Sequence, residues 1–370
     1  MIVRSLTLDF FRNYPHFGAE FSPGVNVIWG ENAQGKTNLL EAVAYLSTAS
    51  SHRARYDREL IQFGVDHAFL QGEVEARGRR FTLEARLSRG ARRQLFSNGV
   101  RLKTAGELAG VLTTVLFCPE DLWLIREGAA VRRRFLDSCI CQLRPRYAEA
   151  LAEYRRLYEH KTRILRDWEE HPSLLDTLDE FSLRMAQTGA LLIHYRAHFI
   201  RRLGEVTPAI HRDFSGGREK LALTYGTVST VTDPLAPAKT ILEQLLAHQE
   251  SHRRAELEAR QCLSGPHKDD MEVELDGLSA RQFASQGQTR TAALSLKLAA
   301  REIFYQETGE WPVLLLDDVL SELDGKRQEY VLKRITSGQV FITCCEEMEL
   351  ARLGGARTFR IREGTLVGSS

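Results

Sequence analysis

The chain has no long apolar run and almost no excess of charge of either sign. None of its stretches approaches the roughly 20 consecutive apolar residues that cross a bilayer, which excludes an integral membrane protein. Its 50 Lys and Arg against 49 Asp and Glu leave a net charge of +1, so any nucleic-acid surface must be local. With 43% apolar and 27% charged residues over 370 positions, the chain is globular and long enough for one large domain or two ordinary ones.

Paired cysteines and a secretion signal are also missing. The six cysteines, at positions 118, 139, 141, 262, 344 and 345, form no Cys-x-x-Cys pair, so neither a zinc site nor a disulfide framework is expected. The first five residues begin no apolar signal core followed by a small-residue cleavage site. We therefore expect a cytoplasmic protein with no membrane partner.

Three stretches of the chain differ in pattern. Residues 1–118 alternate short strand-like runs with turns, residues 119–261 are mostly helical, and residues 262–370 return to a mixed pattern. The pattern predicts strands at Val25–Trp29, Ala68–Ala76, Arg80–Leu87, Gln94–Leu102, Val313–Leu316 and, as the last core strand, Val340–Thr343. The expected fold is an α/β head with an antiparallel β-lobe, made of residues 1–118 and 262–370, into which a helical arm is inserted at 119–261.

Two series of apolar positions, with spacings of three and four residues, run through the helical stretch. They comprise Tyr147, Leu151, Tyr154, Tyr158, Lys161, Leu165 and Trp168, then Leu174, Leu178, Phe181, Met185, Thr188, Leu192, Tyr195 and Phe199. Lys161 is the one violation of a coiled-coil seam. Between them, Pro172 stops one helix and Ser173 can cap the next. The pattern predicts an antiparallel helical hairpin near 146–203, the alternative being an ordinary amphipathic pair on a domain core.

A phosphate-binding motif provides the first chemical signal. Residues 30–37 match G-x-x-x-x-G-K-[ST] between a predicted strand and a helix from Gly35 to about Leu46, which is the context that the motif requires. The candidate cofactor-binding residues are Gly30, Glu31, Asn32, Ala33, Gln34, Gly35, Lys36, Thr37 and Asn38. In such a loop the main-chain N–H groups surround the phosphates of ATP, Lys36 bridges the β- and γ-phosphates, and Thr37 binds Mg²⁺. A glycine turn before a helix is the structural alternative.

Two adjacent acids provide the second signal. Asp317 and Asp318 follow an apolar strand, which places their carboxylates at the edge where α/β sheets bind ligands. Asp317 is expected to hold Mg²⁺ with Thr37, and Asp318 to orient or deprotonate the attacking water. The segment Ser321–Asp324 follows directly and otherwise passes as a helix cap.

A second anion-binding loop decides between classes of ATPase. Ser285, Gln286, Gly287 and Gln288 precede a long helix-like stretch that runs to Tyr305, and a helix start of this kind suits a phosphate. One nucleotide does not need two such loops, so we expect this one to contact ATP held by a second subunit. That arrangement is typical of ABC-type ATPases, whereas a plain capped helix is the alternative.

The chain resembles the RecF family of bacterial recombination mediators over essentially its full length. The resemblance rests on the segments Phe11–Tyr14, Gly30–Ala42, Pro119–Leu122, Arg132–Asp137, Gly265–Asp270, Ser285–Gln288 and Leu314–Asp324. It implies an ABC-type ATPase head with a short helical arm, a weak DNA-stimulated ATPase activity and an ATP-dependent homodimer on DNA in the nucleoid. It also implies work with RecO and RecR to place RecA on gapped DNA during repair, replication-fork maintenance and the SOS response.

Several positions depart from the family's pattern. Ala33 replaces a glycine, and it is strained if the position needs a positive φ. Glu127-Gly128-Ala129 replaces Gly-Gly-Pro before the arginine triplet 132–134, which we expect to anchor the arm through carboxylates such as Asp137. Lys268 replaces an arginine and so lacks the bidentate fork. Cys344 and Cys345 stand where threonines are typical, which puts the γ-phosphate sensor in doubt.

A local excess of positive charge lies between Arg77 and Lys103, where nine cations accompany Glu84 alone. On β-hairpins these side chains predict a basic plate for a DNA backbone, with Arg79, Arg80, Arg92 and Arg93 as candidate contacts and no evident base-reading residue. A solvated hairpin face is the alternative, and His52, Arg53 and Arg55 form a lesser cluster. Two other functions remain open: another SMC-like clamp on DNA, against which the short arm counts, and a transport ATPase subunit, against which the missing switch histidine counts.

Overall fold

A computed structural model describes residues 1–320, 323, 325–334, 337–345 and 355–369. The strands are β1 Ile2–Phe11, β2 Tyr14–Glu20, β3 Val25–Trp29, β4 His67–Ala76, β5 Arg79–Ser88, β6 Gln94–Ser97, β7 Val100–Arg101, β8 Thr114–Phe117, β9 Leu221–Gly226, β10 Asp270–Leu275, β11 Leu278–Ser279, β12 Val313–Leu316, β13 Val340–Cys344, β14 Arg357–Arg362 and β15 Thr365–Ser369. The helices are α1 Lys36–Thr48, α2 Trp123–Arg126, α3 Ala129–Leu143, α4 Pro145–Asp167, α5 Leu178–Ser215, α6 Ala238–Ala259, α7 Ala280–Phe283, α8 Gln286–Thr308 and α9 Gly325–Arg334. Ser321, Glu322, Asp324 and Glu346 lie outside the described residues.

The chain divides by its internal contacts into two units. The first comprises residues 1–122 and 293–370, and the second comprises residues 123–292. The sequence placed the later boundary at 261/262, about thirty residues earlier. Residues 262–292 group with the second unit because β10 pairs along its whole length with β9. Among the described residues, no helix is long and apolar enough to cross a membrane.

A six-stranded mixed sheet forms one layer of the first unit, in the order β15-β14-β3-β13-β12-β8. The five strands from β14 to β8 run parallel, and β15 is antiparallel to β14. The predicted strands Val25–Trp29 and Val313–Leu316 are confirmed with the same bounds, and β13 lies between them. Because parallel strands end at the same edge of a sheet, the residues that follow β3, β12 and β13 meet there.

An antiparallel sheet forms the other layer of the first unit, in the order β2-β1-β4-β5-β6-β7. The predicted hairpins are confirmed, and the turn between β6 and β7 has positive φ at both Asn98 and Gly99, as a type I′ turn requires. Apolar side chains of both sheets and of α1 form one core, with Leu6, Tyr45 and Phe341 fully buried in it. The expected α/β head with an antiparallel lobe is therefore confirmed.

Two strands follow the predicted last core strand, so that expectation was wrong. β14 pairs in parallel with β3, and β15 returns antiparallel at the sheet edge. In β14 only the alternate residues Phe359 and Ile361 are buried, and each is followed by an exposed arginine. A half-buried strand of this kind lacks the continuous apolar run that identified β3 and β12.

The second unit contains the predicted helical hairpin. Helices α4 and α5 pack antiparallel, since Glu153 pairs with Arg184 at 2.6 Å whereas the earlier Tyr147 contacts the later Tyr195. A 3₁₀ turn over Pro172–Thr177 joins them, so α5 begins after Thr177 and Ser173 does not cap it as expected. Helix α5 continues to Ser215, and it also packs on α6 and β9. The hairpin thus shares its longer helix with the core of its own unit.

Lys161, the charged residue in the otherwise apolar coiled-coil seam, forms a buried ion pair. Its Nζ lies 2.6 Å from Glu256 Oε2 on α6, and both side chains are less than 5% exposed. The other carboxylate oxygen of Glu256 accepts the main-chain N–H groups of Leu263 and Ser264. Because each charge has a partner, the lysine is tolerated inside an apolar seam.

Candidate functional site

The loop at residues 30–37 connects β3 to α1 at the carboxyl edge of the mixed sheet. Gly30 and Gly35 have φ of 151° and 112°, values that favour glycine. A Cβ at Gly30 would lie 2.3 Å from the carbonyl oxygen of Ile361. The Lys36 Nζ is buried and donates to the carbonyl oxygens of Gly30 at 2.5 Å and Glu31 at 2.9 Å. The loop therefore wraps around the lysine, with α1 starting directly behind it.

Ala33 has φ of 63°, in the left-handed region. The position that the sequence marked as doubtful thus does need a positive φ. A left-handed alanine costs about 1–2 kcal/mol relative to its right-handed conformation. The chain accepts this strain in the loop that defines the site.

The segment Phe11–Tyr14, the first of those that carry the family resemblance, makes hydrogen bonds to the main chain of the phosphate-binding loop. Asn13 Nδ2 donates to the carbonyl of Gln34 at 2.9 Å, and Tyr14 donates to the carbonyl of Gly35 at 2.9 Å. Asn38 donates in turn to Asn13 Oδ1 at 2.9 Å. In the sequence, Asn13 and Tyr14 stood out only as part of a resemblance and had no assigned role. The structure shows that they fix the main chain of the loop.

The two predicted acids lie at the same edge as the loop. Thr37 Oγ1 donates to Asp317 Oδ1 at 2.9 Å, which brings together residues that lie 280 positions apart in sequence. Burial raises the pKa of Asp317, while hydrogen bonds from Thr343 and Thr37 oppose that shift. Asp318 has φ of 51°, a left-handed conformation that aspartate adopts more readily than most residues. The structure thus unites Lys36, Thr37, Asp317 and Asp318 at one edge.

Cys345 also reaches this edge, whereas its neighbour Cys344 is buried. The Cys345 thiol lies 3.0 Å from Asn32 Oδ1 and 3.6 Å from Lys36 Nζ. The position in doubt from the sequence therefore contacts the phosphate-binding loop directly. A thiol at this point contributes only a weak donor.

A cleft of about 560 Å³ lies beside the first turn of α1. Its walls include four arginines, Arg12, Arg53, Arg58 and Arg89, and the fully exposed ring of Phe63. Arg12 forms a bidentate pair with the buried Glu41 at 2.7 and 2.8 Å. Burial raises the pKa of Glu41, but the hydrogen bonds of Arg12 and Ser51 prevail and lower it below its ordinary value. Of the lesser basic cluster, Arg53 donates to Asn38, so part of that cluster belongs to the nucleotide loop.

The segment Ser285–Gln288 forms a reciprocal helix cap in the second unit. Ser285 N donates to Gln288 Oε1 at 2.8 Å, and Gln288 N donates to Ser285 Oγ at 3.3 Å. Ser285 and Gln286 are exposed, and Gly287 and Gln288 are half-buried. This is the geometry of the capped-helix alternative. A serine hydroxyl that accepts a main-chain hydrogen still has its own hydrogen to donate, so the cap is compatible with anion binding.

The nine cations between Arg77 and Lys103 do not form a uniform plate. Arg93 pairs with Asp57 at 3.0 Å, Arg86 pairs with Glu84 at 3.1 Å, and Arg89 donates to the carbonyl of Val65. Strand β4 also places Glu75 directly opposite Arg80. Arg79, Arg80 and Arg92 are exposed. Of the four predicted DNA contacts, Arg93 is therefore held by the protein itself.

The remaining family motifs form a buried polar network within the second unit. Arg132 makes a bidentate pair with Asp270, and Arg133 donates to the carbonyl of Asp269. The expected partner of the triplet, Asp137, instead pairs with Arg196 at 2.8 Å, so that assignment was wrong. Asp137 could not be told from Asp270 by sequence, because the partners come from distant segments. Lys268 is exposed.

Further members of this network close it from other elements. They are Tyr147, which donates to Asp137, and Tyr225 and Thr227, which donate to Asp269. Gly265 has φ of 134°, and a Cβ there would lie 2.4 Å from the hydroxyl of Tyr154. Gly128, from the departure at 127–129, serves as the N-cap of α3 with an extended conformation. These motifs position α3, α4 and α5 around β10.

Comparisons with known proteins identify the family of the chain. The family model described as the RecF/RecN/SMC N-terminal domain matches residues 2–363. The chain is 41% identical to the DNA replication and repair protein RecF of Agathobacter rectalis over 345 residues, covering 93% of this chain and 92% of that protein. It is 40% identical to RecF of Symbiobacterium thermophilum over 371 residues, covering 99% and 98%.

Solved structures give the same result. A structure of the recombination mediator protein RecF with ATP, from the RecFOR pathway, superposes with a TM-score of 0.92 at 34% identity, covering 100% of this chain and 97% of that one. The Smc head domain of Pyrococcus furiosus shares the fold, with a TM-score of 0.57 at 17% identity, covering 100% and 96%. From these matches over nearly its full length, the chain belongs to the RecF family of DNA replication and repair proteins.

Proposed function

We propose that this chain binds and hydrolyses ATP as a weak, DNA-stimulated ABC-type ATPase that dimerises on DNA. The observation that carries the proposal is the joining of Lys36, Thr37 and Asp317 at one sheet edge, with a 2.9 Å bond between the last two. A solved relative of the same family is a complex with ATP. The proposed cofactor-binding residues are 30–38, together with Ser285, Gln286, Gly287 and Gln288 from a second subunit.

The donors at the site fit Mg²⁺. A threonine hydroxyl and an aspartate carboxylate are hard oxygen ligands, which Mg²⁺ prefers together with phosphate oxygens. Thr37 and Asp317 would hold the ion, which neutralises charge on the phosphates when bound. Lys36 would exchange its carbonyl partners for phosphate oxygens, and Asp318 would orient the attacking water.

The loop Ser285–Gln288 supports the pairing of two chains, because it is remote in sequence from the phosphate-binding loop and one nucleotide does not need both. Its exposed Ser285 caps its own helix and keeps one hydrogen to donate. Across a two-fold interface this hydroxyl and the nearby N–H groups would bind the γ-phosphate held by the partner, giving two sites per dimer. ADP lacks that phosphate, so hydrolysis would release the dimer.

The biological role is the one shared by the family. A mediator of the RecFOR pathway works with RecO and RecR, and this chain would help them load RecA at single-strand gaps during DNA repair, fork maintenance and the SOS response. The alternative is another SMC-like clamp on DNA. Only the mediator role requires that addition of this protein accelerate RecA assembly on gapped DNA in the presence of RecO and RecR.

Measurements of ATP binding and of sedimentation test the nucleotide site and the dimer together. Wild-type protein should bind a fluorescent ATP analogue and sediment as a dimer, whereas Lys36→Met should lose at least tenfold in affinity. Ser285→Arg should bind ATP normally as a monomer, and Ser279→Arg, a serine-to-arginine control six residues upstream, should still pair. A stable Ser285→Arg dimer would refute the composite site, and wild-type affinity in Lys36→Met would refute the nucleotide site.

A further inference from the structure

Strand β13 carries a threonine, Thr343, next to its last residue Cys344, and no sequence motif assigns a role to this threonine. Strand β13 lies between β3, which leads into the phosphate-binding loop, and β12, which leads into the two acids. Parallel register places Leu316 beside Ile342, so Thr343 is the next residue along, level with Asp317. Thr343 is only 1% exposed. A buried hydroxyl at this point has to find hydrogen-bond partners within the site.

The Thr343 hydroxyl acts both as a donor and as an acceptor toward the two acids, Asp317 and Asp318. Its Oγ1 donates to Asp317 Oδ1 at 2.8 Å and accepts the main-chain N–H of Asp318 at 2.8 Å. A hydroxyl has one hydrogen, so these directions are the only consistent assignment. One side chain thus fixes the carboxylate of the first acid and the main chain of the second.

The two hydrogen bonds restrain features that the proposed reaction needs. Asp317 Oδ1 accepts from both Thr37 and Thr343, so the carboxylate is held from two sides in one orientation. The left-handed φ of 51° at Asp318 turns the chain immediately after β12, and its N–H is anchored on Thr343. Loss of the hydroxyl would leave a buried carboxylate oxygen and a partly buried amide each short of one partner.

We propose that Thr343 is a positioning residue for the acidic pair: through its hydroxyl it orients Asp317 toward Mg²⁺ and fixes the direction from which Asp318 acts. This inference rests on the proposed ATPase function and adds a residue to it. Thr343 touches neither phosphate nor metal in this role. Removal of the hydroxyl therefore weakens Mg²⁺ binding and slows hydrolysis, and leaves the interactions of Lys36 and the loop with nucleotide intact.

The test compares Thr343→Val, which keeps the branched shape but has no hydroxyl, with Thr343→Ser, which keeps the hydroxyl. Affinity for a fluorescent ATP analogue is measured without Mg²⁺ and across a Mg²⁺ titration, and kcat and KM are measured separately. Ile342→Val is the control, because it removes one methylene from the same buried strand and no polar group. Should Thr343→Val not fold, Thr343→Cys replaces it, since a thiol is a poor donor of similar size.

Without Mg²⁺, the affinity of Thr343→Val for the analogue should lie within about twofold of the wild-type affinity. The variant should need about tenfold more Mg²⁺ to reach half of the Mg²⁺-dependent change in affinity, and its kcat should fall about tenfold or more. Thr343→Ser and Ile342→Val should stay within about threefold of wild type in each quantity. Unchanged Mg²⁺ half-saturation in Thr343→Val would overturn the positioning role. A wild-type protein that binds no ATP would instead refute the proposed function itself, so the two failures are distinguishable.

Discussion

The Thr37 hydroxyl donates to Asp317 across 280 positions of sequence, at 2.9 Å. This one bond joins the phosphate-binding loop after β3 to the acids after β12. The two strands are not neighbours, since β13 separates them in the sheet. The site therefore depends on three strands that end at one edge, and each contributes a side chain to it.

Asp318→Asn should separate nucleotide binding from hydrolysis. Asparagine accepts a positive φ as readily as aspartate, so the turn at φ 51° should survive. It lacks the charge to orient or deprotonate water, and turnover should fall by about 10²–10⁴-fold while Mg·ATP remains bound and the dimer persists. ATPase assays beside sedimentation would measure both effects.

The matched control for that change is Asp276→Asn, at another aspartate with φ of 52° in a hairpin of the second unit. It should hydrolyse ATP at the wild-type rate. Wild-type turnover in Asp318→Asn would show that the role assigned to Asp318 is wrong.

Ala33→Gly should stabilise the protein or leave it unchanged, contrary to the usual effect of glycine. Relief of left-handed strain gains about 1–2 kcal/mol, and the added freedom of the unfolded chain costs about 0.4–1 kcal/mol. The net expectation is a gain of between zero and about 1.6 kcal/mol in the free energy of unfolding, measured by denaturant titration. Ala91→Gly, at an exposed loop alanine without a positive φ, should lose stability instead. If Ala33→Gly loses as much as Ala91→Gly, the alanine is not strained.

Much of the fold was readable from sequence because its signals are local. Strands β3 and β12 are continuous apolar runs, and Asn98-Gly99 specifies its own turn. Helices α4 and α5 follow from apolar spacing. The boundary of the second unit was placed too early because the pairing of β9 with β10 spans about fifty residues, and such a pairing leaves no local mark.

The site divides in the same way. The residues 30–37 and the acids 317–318 carry their chemistry in a short motif, whereas the roles of Asn13, Tyr14 and Thr343 arise only when distant segments meet. A polar residue near the end of a buried apolar strand was the available signal for Thr343. The partner of the arginine triplet was misassigned for a related reason, since several carboxylates were equally plausible in sequence.

Charge reversal at Arg79, Arg80 and Arg92 together should weaken DNA binding and reduce the slope of log affinity against log salt by about 3, one unit for each phosphate that is no longer neutralised. Affinity should hardly depend on base sequence, because phosphate contacts carry no sequence information. Binding to gapped DNA at several salt concentrations measures both. Arg254→Glu, at an arginine that pairs with Glu258 on the helical arm and whose side chain is 92% exposed, should leave the slope unchanged unless the DNA lies on the arm.

Arg93→Glu should behave differently from that triple variant. Its guanidinium is held by Asp57 at 3.0 Å, so reversal would set two carboxylates together and lower the stability of the β-lobe. A melting curve distinguishes this destabilisation from a direct effect on DNA binding. An unchanged salt slope in the triple variant would place the DNA surface elsewhere, with the helical arm as the next candidate.

His267 holds one tautomer inside the second unit. Its Nε2 donates to the carbonyl of Cys262 at 3.0 Å, so its Nδ1 accepts the hydroxyl of Tyr154 at 2.7 Å. Burial lowers the pKa of His267 to about 4; the bond to Cys262 opposes this, as does the charge of Glu256, whereas the charges of Lys268 and Arg133 reinforce it. The histidine is thus neutral in the folded protein above about pH 4.

Stability should therefore fall with acidification between about pH 6.5 and pH 4. In this window the unfolded chain binds a proton at His267 that the folded chain does not, so the free energy of unfolding decreases as pH falls through the unfolded pKa and levels off below the folded pKa of about 4. The loss from this residue is about 3 kcal/mol at most, at about 1.4 kcal/mol per pKa unit. His267→Gln can keep both hydrogen bonds without titrating, so the difference between wild-type and variant unfolding free energies should vary by up to that amount from pH 7.5 to 4. His16→Gln, at an exposed histidine, provides the control, and parallel curves for wild type and His267→Gln would show that His267 titrates alike in both states.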